Sequence, residues 1–217
     1  MTRELLFRFL YVTCLSPALA SAATINVLVN DHKGEPLEDA VVTVHPKGGT
    51  PSKLHPDKRV IDQIDKEFVP HVLVVERGSP VYFPNKDDIR HHVYSFSKPK
   101  KFELPLYKGT PAHPVVFDKG GVVKLGCNIH DWMLGYIYVV DTPYYGKTSN
   151  DGAVKVANLP GGELEVTVWH PRMKGSADKT AKIVKLLASD ETRLEYTIKV
   201  RKEFRMRRAP RAGGRKY

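Results

Sequence analysis

The feature that most restricts this chain is the texture of its apolar runs. TINVLV (24–29), AVVTVHP (40–46), HVLVVE (71–76), PVYFPN (80–85), HVYSFS (92–97), HPVVFD (113–118), GVVKLGC (121–127) and LGYIYVVD (134–141) are short and rich in Val, Ile, Tyr and Phe. A β-strand sends successive side chains to opposite faces, so runs of this kind read as strands. Between and after them lie NDHKGEPL (30–37), ERGSP (76–80), NKDD (85–88), DKGG (118–121), SNDG (149–152) and LPGGE (159–163). There Gly, Pro, Asn and Asp supply the backbone conformations of tight turns. Short strands with turns about every eight to twelve residues predict an all-β sandwich or barrel. Helical spacing is best in TAKIVKLLASDE (180–191), although two strands joined by a loop fit the same residues. There is no repeat of solenoid or propeller period.

The two ends read differently. Arg3 and Arg8 precede FLYVTCLSPALA, an apolar stretch too short to span a bilayer, and small residues follow that permit cleavage after Ala20 or Ala22. Residues 1–22 are therefore expected to be a signal peptide, and the mature protein to be periplasmic. Cys14 leaves with the signal, so Cys127 is the one thiol of the mature chain and no intramolecular disulfide can form. An exported lone thiol has to be buried, paired between chains or held by a metal. At the other end, residues 201–217 hold eight basic residues and one acid, which places +7 of the chain's +10 there; the presequence holds +1 and the body about +2. The folded part is nearly neutral, and the tail's composition predicts a disordered extension. Such a tail is suited to weak contact with an anionic membrane surface or an acidic redox partner.

LGCNIHDWM (125–133) carries the chemistry. One strand ends at Cys127, a turn holds His130, and the next strand starts after Met133, so three donors can converge at one end of a sandwich. A soft thiolate, a soft thioether and an imidazole favour copper over the hard cations. One more nitrogen completes a trigonal His2Cys site with a weak axial Met. PNKDDIRHHVYSF (84–96) offers it, with His91 and His92 at the start of a strand. Adjacent strand residues face opposite ways, so one of the two faces the metal, and spacing alone does not choose between them.

With these residues in hand, the block from 59 to 141 resembles a cupredoxin, the family of plastocyanin, pseudoazurin and amicyanin. Cys127, His130 and Met133 match the short Cys-x2-His-x2-Met ligand loop of amicyanin-like members. VYFPNKDDIRHHV resembles the upstream segment, in which an Asn-containing strand end leads to a His-Asn-Val triplet. Residue by residue, His91 takes the ligand position, His92 the Asn position and Val93 the Val position, and His92 departs from the pattern. The complete chain resembles the "methylamine utilisation protein" type of plastocyanin-like periplasmic protein. The resemblance implies one type 1 copper ion held by His91, Cys127, His130 and Met133, with Cys127 as equatorial thiolate, the histidines as equatorial imidazoles and Met133 as the long axial ligand. It implies single-electron transfer to a protein redox partner, with the exposed edge of His130 as the port. Four protein ligands leave no open position for substrate, which points to a carrier and not an enzyme.

The flanks carry a second resemblance. VLVNDHKGEPLEDAVVTVHP (27–46) resembles the opening of carboxypeptidase-regulatory-like β-sandwich modules, and TSNDGAVKVANLPGGELEVTVWHP (148–171) the closing half. The expected organisation is a signal at 1–22, the first part of one sandwich at 23–58, the cupredoxin block at 59–141, the remainder of that sandwich at 142–200, and a basic tail at 201–217. Two sequential sandwiches are the alternative. His32, His45, His55, His71, His113 and His170 stand isolated near turns or prolines and are expected to be structural or solvated. Trp132 is expected to shield the metal edge, offer a docking surface or fill the core, and Trp169 to pack near a strand end. No phosphate loop, nucleophile elbow or zinc-protease helix is present, and no folded segment interleaves basic with aromatic residues as nucleic-acid binders do. Two other functions use the same residues: copper delivery, or a structural interaction module with an incidental ligand set.

Overall fold

The structure is a computed structural model that describes residues 22–48 and 53–202. The presequence up to residue 21 and the tail from 203 lie outside the described residues.

The chain opens with β1 (Ala23–Asp31) and β2 (Val41–Pro46). The central block holds β3 (Arg59–Val60), β4 (Asp62–Ile64), β5 (Glu67–Val69), β6 (Val72–Glu76), β7 (Ser79–Tyr82), β8 (His91–Ser97), β9 (Lys100–Tyr107), β10 (Val115–Phe117), β11 (Gly121–Gly126) and β12 (Leu134–Val140). β13 (Tyr145–Lys147), β14 (Ala153–Leu159), β15 (Gly162–Trp169), β16 (Lys182–Leu186) and β17 (Glu191–Ile198) follow. Apart from one 3-10 turn at Ala177–Thr180, the regular structure of the described residues is all β, as the alternation predicts. Residues 180–191 take the strand alternative. In β16, pairing with β15 buries Leu186 and half-buries Val184 while Ile183 points to solvent, an alternation that a helix cannot provide.

Four of the five sheets form two stacked pairs. The sheets β14-β1-β17 and β13-β2-β15-β16 enclose one core, in which Ile25, Val27, Val29, Val42, Val44, Leu164, Val166 and Val168 meet. β1 therefore pairs with β14 and β17, and β2 with β13 and β15, across more than a hundred intervening residues. The five-stranded sheet β6-β12-β11-β8-β9 and the sheet β10-β7-β3 enclose a second core around Ile61, Phe68, Phe83, Val93, Phe117, Leu125 and Ile137. The small β4-β5 pair sits beside it through Phe68.

β12 serves both cores because of its period of two. Ile137 and Val139 enter the second core, while Tyr136 and Tyr138 pack outward against the first. Trp169 receives them, stacked on Tyr138 at 5.2 Å between ring centroids and edge-on to Tyr136 at 5.7 Å. Aromatic pairs of this kind contribute about 0.5–1.5 kcal/mol beyond the area they bury. Gly135, between Leu134 and Tyr136, is required by space: a Cβ there would lie 2.8 Å from the Cβ of Phe68. Gly135→Ala should cost about 1–3 kcal/mol, read as a lower urea midpoint, because Phe68 is packed in the second core and neither strand can move without disturbing it.

His170 is buried just past the end of β15, next to Trp169. Its Nδ1 accepts from the Arg172 backbone N–H at 3.1 Å and its Nε2 lies 3.1 Å from the Glu38 carbonyl. Burial, assisted by the charge of Arg172, pushes its pKa down from 6.5 to about 4, against the pull of the Glu38 carbonyl and Asp39. Between those values the unfolded chain binds a proton that the folded chain does not. Stability should therefore fall as pH drops from about 6.5 to about 4, with His170 supplying up to about 3 kcal/mol of the loss. Urea midpoints at pH 7 and 4.5 check this, and His170→Gln, which cannot titrate, should show the shallower slope.

Candidate metal centre

β11 and β12 form a hairpin in register from Gly121↔Val139 to Gly126↔Leu134. Its closing loop is 127–133, the stretch that carries Cys127, His130 and Met133. The loop is braced by the Met133 N–H, which donates to the His130 carbonyl at 2.9 Å. Cys127, His130 and Met133 are all buried, and Cys127 and Met133 belong to the second core. Gly126 fixes the approach to Cys127: a Cβ there would lie 2.8 Å from both the ring and the hydroxyl of Tyr94, so only glycine lets that ring lie over the end of the strand.

β8 delivers the fourth residue. Of the two adjacent histidines, His91 faces the loop and His92 does not. Cys127 Sγ lies 3.9 Å from His91 Nδ1 and 3.9 Å from His130 Nδ1, and the two imidazoles are 5.1 Å apart between centroids. The donor atoms of the three residues all fall within 4.8 Å of one another. An ion with a metal–sulfur bond of about 2.3 Å and metal–nitrogen bonds of about 2.0 Å at trigonal angles sets sulfur and nitrogen about 3.7 Å apart. The spacing seen is close to that. His92 turns to the opposite face, where its Nε2 lies 2.8 Å from Glu103 of β9. The β8–β9 register slips between His91 and Val93, a bulge that places Pro105 and Leu106 opposite one residue of β8 and re-aims this pair.

A carboxylate sets the tautomer of His91. Asp87 Oδ2 lies 2.7 Å from His91 Nε2 and also accepts the Lys66 backbone N–H at 2.9 Å, while Oδ1 accepts that of Asp65 at 2.7 Å. Burial works to raise the pKa of Asp87, but the bonds from His91, Lys66 and Asp65 together outweigh it and hold the carboxyl below the usual carboxylate range. A charged Asp87 keeps the proton on Nε2, which leaves the Nδ1 lone pair facing the sulfur. The loop that carries Asp87 is itself pinned by Asn85. Its Nδ2 donates to the carbonyls of Ile89 at 2.8 Å and Tyr107 at 2.9 Å, and its Oδ1 accepts the Asp87 N–H at 3.0 Å. Below it, Tyr107 donates to the Phe83 carbonyl and accepts from Gln63, and burial raises its pKa to about 12. For His130, burial first and then the charges of His91 and Lys66 lower the pKa, which keeps the ring neutral and its lone pair free.

One expectation changes. His130 is not an exposed edge: it is only 9% accessible, and Trp132 packs on it at 5.2 Å between centroids while remaining 44% accessible. Trp132 and Ile129 are the exposed apolar surface beside the loop. Asp87 was not legible as a site residue, since in NKDD nothing separates it from Asp88. Of the isolated histidines, His170 is buried with both ring nitrogens partnered, His71 packs edge-on to Tyr136, and His32, His55 and His113 are exposed.

No protein-family model matches the chain, and no curated protein does. Among solved structures the chain is similar to a Cu-containing nitrite reductase (NirK) from Thermus scotoductus SA-01, with 25% identity and a TM-score of 0.37 over 44% of this chain and 25% of that one. It is similar to a purple cupredoxin from Nitrosopumilus maritimus, with 24% identity and a TM-score of 0.33 over 37% of this chain and 96% of that one. A reduced amicyanin variant matches at 19% identity and a TM-score of 0.35 over 45% of this chain and 99% of that one. The chain thus spans a quarter of the nitrite reductase's length.

Proposed function

We propose that this chain is a periplasmic type 1 copper protein that carries single electrons between protein redox partners. The observation that supports this most is the pair of imidazole Nδ1 atoms, each 3.9 Å from the Cys127 sulfur, with the proton of one ring committed to Asp87. His91, Cys127, His130 and Met133 would hold copper. Bound copper would supply a one-electron couple between Cu(II) and Cu(I). The chain's own part is to hold the ligands still and bury them. Asp87 orients His91, the Met133–His130 backbone bond closes the loop, and burial of all four side chains limits their contact with solvent. A site already fixed in shape needs little rearrangement when the charge on its metal changes, which suits a carrier.

The proposal includes removal of residues 1–22 as a signal peptide. It also includes one sandwich assembled from 23–58 and 142–200 around the cupredoxin block at 59–141, which the pairing of β1 and β2 with β13, β14, β15 and β17 supports. Copper delivery is the second reading. A groove of about 520 Å³ bounded by Tyr94, Phe96, Lys124, Cys127, Asp131 and Met133 favours it, as a route for metal exchange. Titrating the mature chain with Cu(II) while recording visible and electron paramagnetic resonance spectra tests the first reading. An intense thiolate-to-copper band with narrow hyperfine splitting supports it, and colourless, weakly held Cu(II) overturns it. Rapid loss of copper to a mild chelator favours delivery.

A further inference from the structure

The five basic residues Arg172, Lys174, Lys199, Arg201 and Lys202 lie on two backbone segments that pair after β15 and after β17. Met173 and Val200 form an antiparallel bridge, the Lys174 N–H donates to the Lys199 carbonyl at 2.9 Å, and the Arg201 N–H donates to the Arg172 carbonyl at 2.8 Å. Met173 and Val200 are buried in the first core, so alternation turns their neighbours Arg172, Lys174, Lys199 and Arg201 outward. Lys174, Lys199, Arg201 and Lys202 are exposed and Arg172 is half-buried. None of the five has an ion-pair partner among the described residues. Of the nearby acids, Asp39 is committed to Lys147. Three of the five belong to a body of about +2, and Arg201 and Lys202 begin the basic tail, so the five make a local concentration of charge.

One ring contact places this ridge beside Tyr136, near the start of β12, and two electrostatic influences agree with it. Trp169, just before the first segment, packs on Tyr136. His170 feels the charge of His71, which itself packs on Tyr136. Arg201 acts on the Tyr136 hydroxyl, whose pKa burial raises and Arg201 pulls back. Tyr136 is three residues past Met133, a backbone span of about 10 Å. An electron carrier has to bring this end of the molecule against its partner, and the surface there includes the exposed apolar residues Ile129, Trp132 and Phe96 with Lys124 and Asp131 among them.

We propose that Arg172, Lys174, Lys199, Arg201 and Lys202 form a docking ridge that receives the acidic face of a protein redox partner and turns the metal end toward it. This rests on the electron-carrier reading. The steering field of such a ridge reaches about 30 Å at 10 mM ionic strength and about 8 Å at 150 mM, so it acts on encounter rates and is removed by salt.

The test uses the copper-loaded mature chain and two inorganic oxidants of opposite charge, hexacyanoferrate(III) and tris(phenanthroline)cobalt(III). Each takes one electron from Cu(I), leaving Cu(II) and the oxidant reduced by one unit. The rate with the anion should fall about fivefold between 10 and 200 mM salt, and the rate with the cation should rise. Replacing Arg172, Lys174, Lys199 and Arg201 together by Gln should lower the anion rate at low salt by a similar factor and flatten its salt dependence. The variant Arg172→Lys/Arg201→Lys should behave as the parent does. Visible spectra recorded first separate the two failures: without a thiolate-to-copper band the carrier reading falls, and this inference with it. With the band intact, a salt-independent anion rate or an unaltered Gln variant overturns the ridge alone. Binding to phosphatidylglycerol vesicles that the Gln variant loses, with oxidation rates unchanged, assigns the ridge to lipid and overturns it too.

Discussion

Cys127→Ser should abolish the thiolate-to-copper band and weaken Cu(I) binding by on the order of a thousandfold, the largest effect of any single change in this chain. The physical reason is ligand softness. A thiolate is charged and polarisable, whereas a serine hydroxyl is neutral at pH 7 and hard, so the donor set loses its preference for copper. His91, His130 and Met133 remain, and Cu(II) bound to them would show the weak colour of a nitrogen-coordinated site. The fold should survive, because the change in volume is small. Burying a hydroxyl where sulfur sat among core residues should cost about 1–3 kcal/mol, visible as a lower urea midpoint. Absorption spectra and competition against a Cu(I) chelator measure the first effect. A blue band that persists in the serine variant would remove Cys127 from the centre.

Asp87→Asn should lower copper affinity about 10–100-fold while leaving all four ligands in place. The carboxylate has three N–H groups to satisfy, from His91, Lys66 and Asp65, and it accepts them through two oxygens. An asparagine has one acceptor oxygen, so its NH2 must face a donor whichever way the amide is turned. Either His91 loses its orienting partner or the Asp65–Lys66 turn loses its anchor. The negative charge also stabilises Cu(II) over Cu(I), so the reduction potential should rise, a shift that disturbed packing alone would not require. Voltammetry of Asp87→Asn beside Asp87→Glu separates the two causes, since Glu keeps the charge and changes the reach. An unchanged potential in Asp87→Asn would reduce Asp87 to a brace for its loop.

Most of the strands were legible because period two survives in single sequences. β1 carries it most cleanly, and β2, β6, β8, β11 and β12 were legible from their density of Val, Ile, Tyr and Phe. β9 was missed although Phe102, Leu104 and Tyr107 point inward along it, because two lysines begin the strand and Pro105 interrupts it. An edge position tolerates that proline, and no local signal announces an edge. The short β3, β4, β5 and β13 are held by pairing with partners distant in sequence, which propensity does not record. At the site, the Cys-His-Met loop was legible because three rare donors fall on one hairpin end. The choice of His91 over His92 needed a bulge in the neighbouring strand, and the role of Asp87 needed a loop that folds back on Asp65 and Lys66. Both depend on chain segments far from the histidines, so spacing carried neither.

The outward stripe of β12 sets a limit on how this protein can be cut. A clone ending at the boundaries of the proposed cupredoxin block, 59–141, would keep every proposed ligand and lose Trp169. Tyr136, Tyr138, Val72, Val74 and Val122 would then face water as one adhesive strip across β6, β12 and β11, its nearest residue three past Met133. Such a fragment should aggregate or pair with itself through that strip. What looks like a detachable copper cassette is finished on one side by its host.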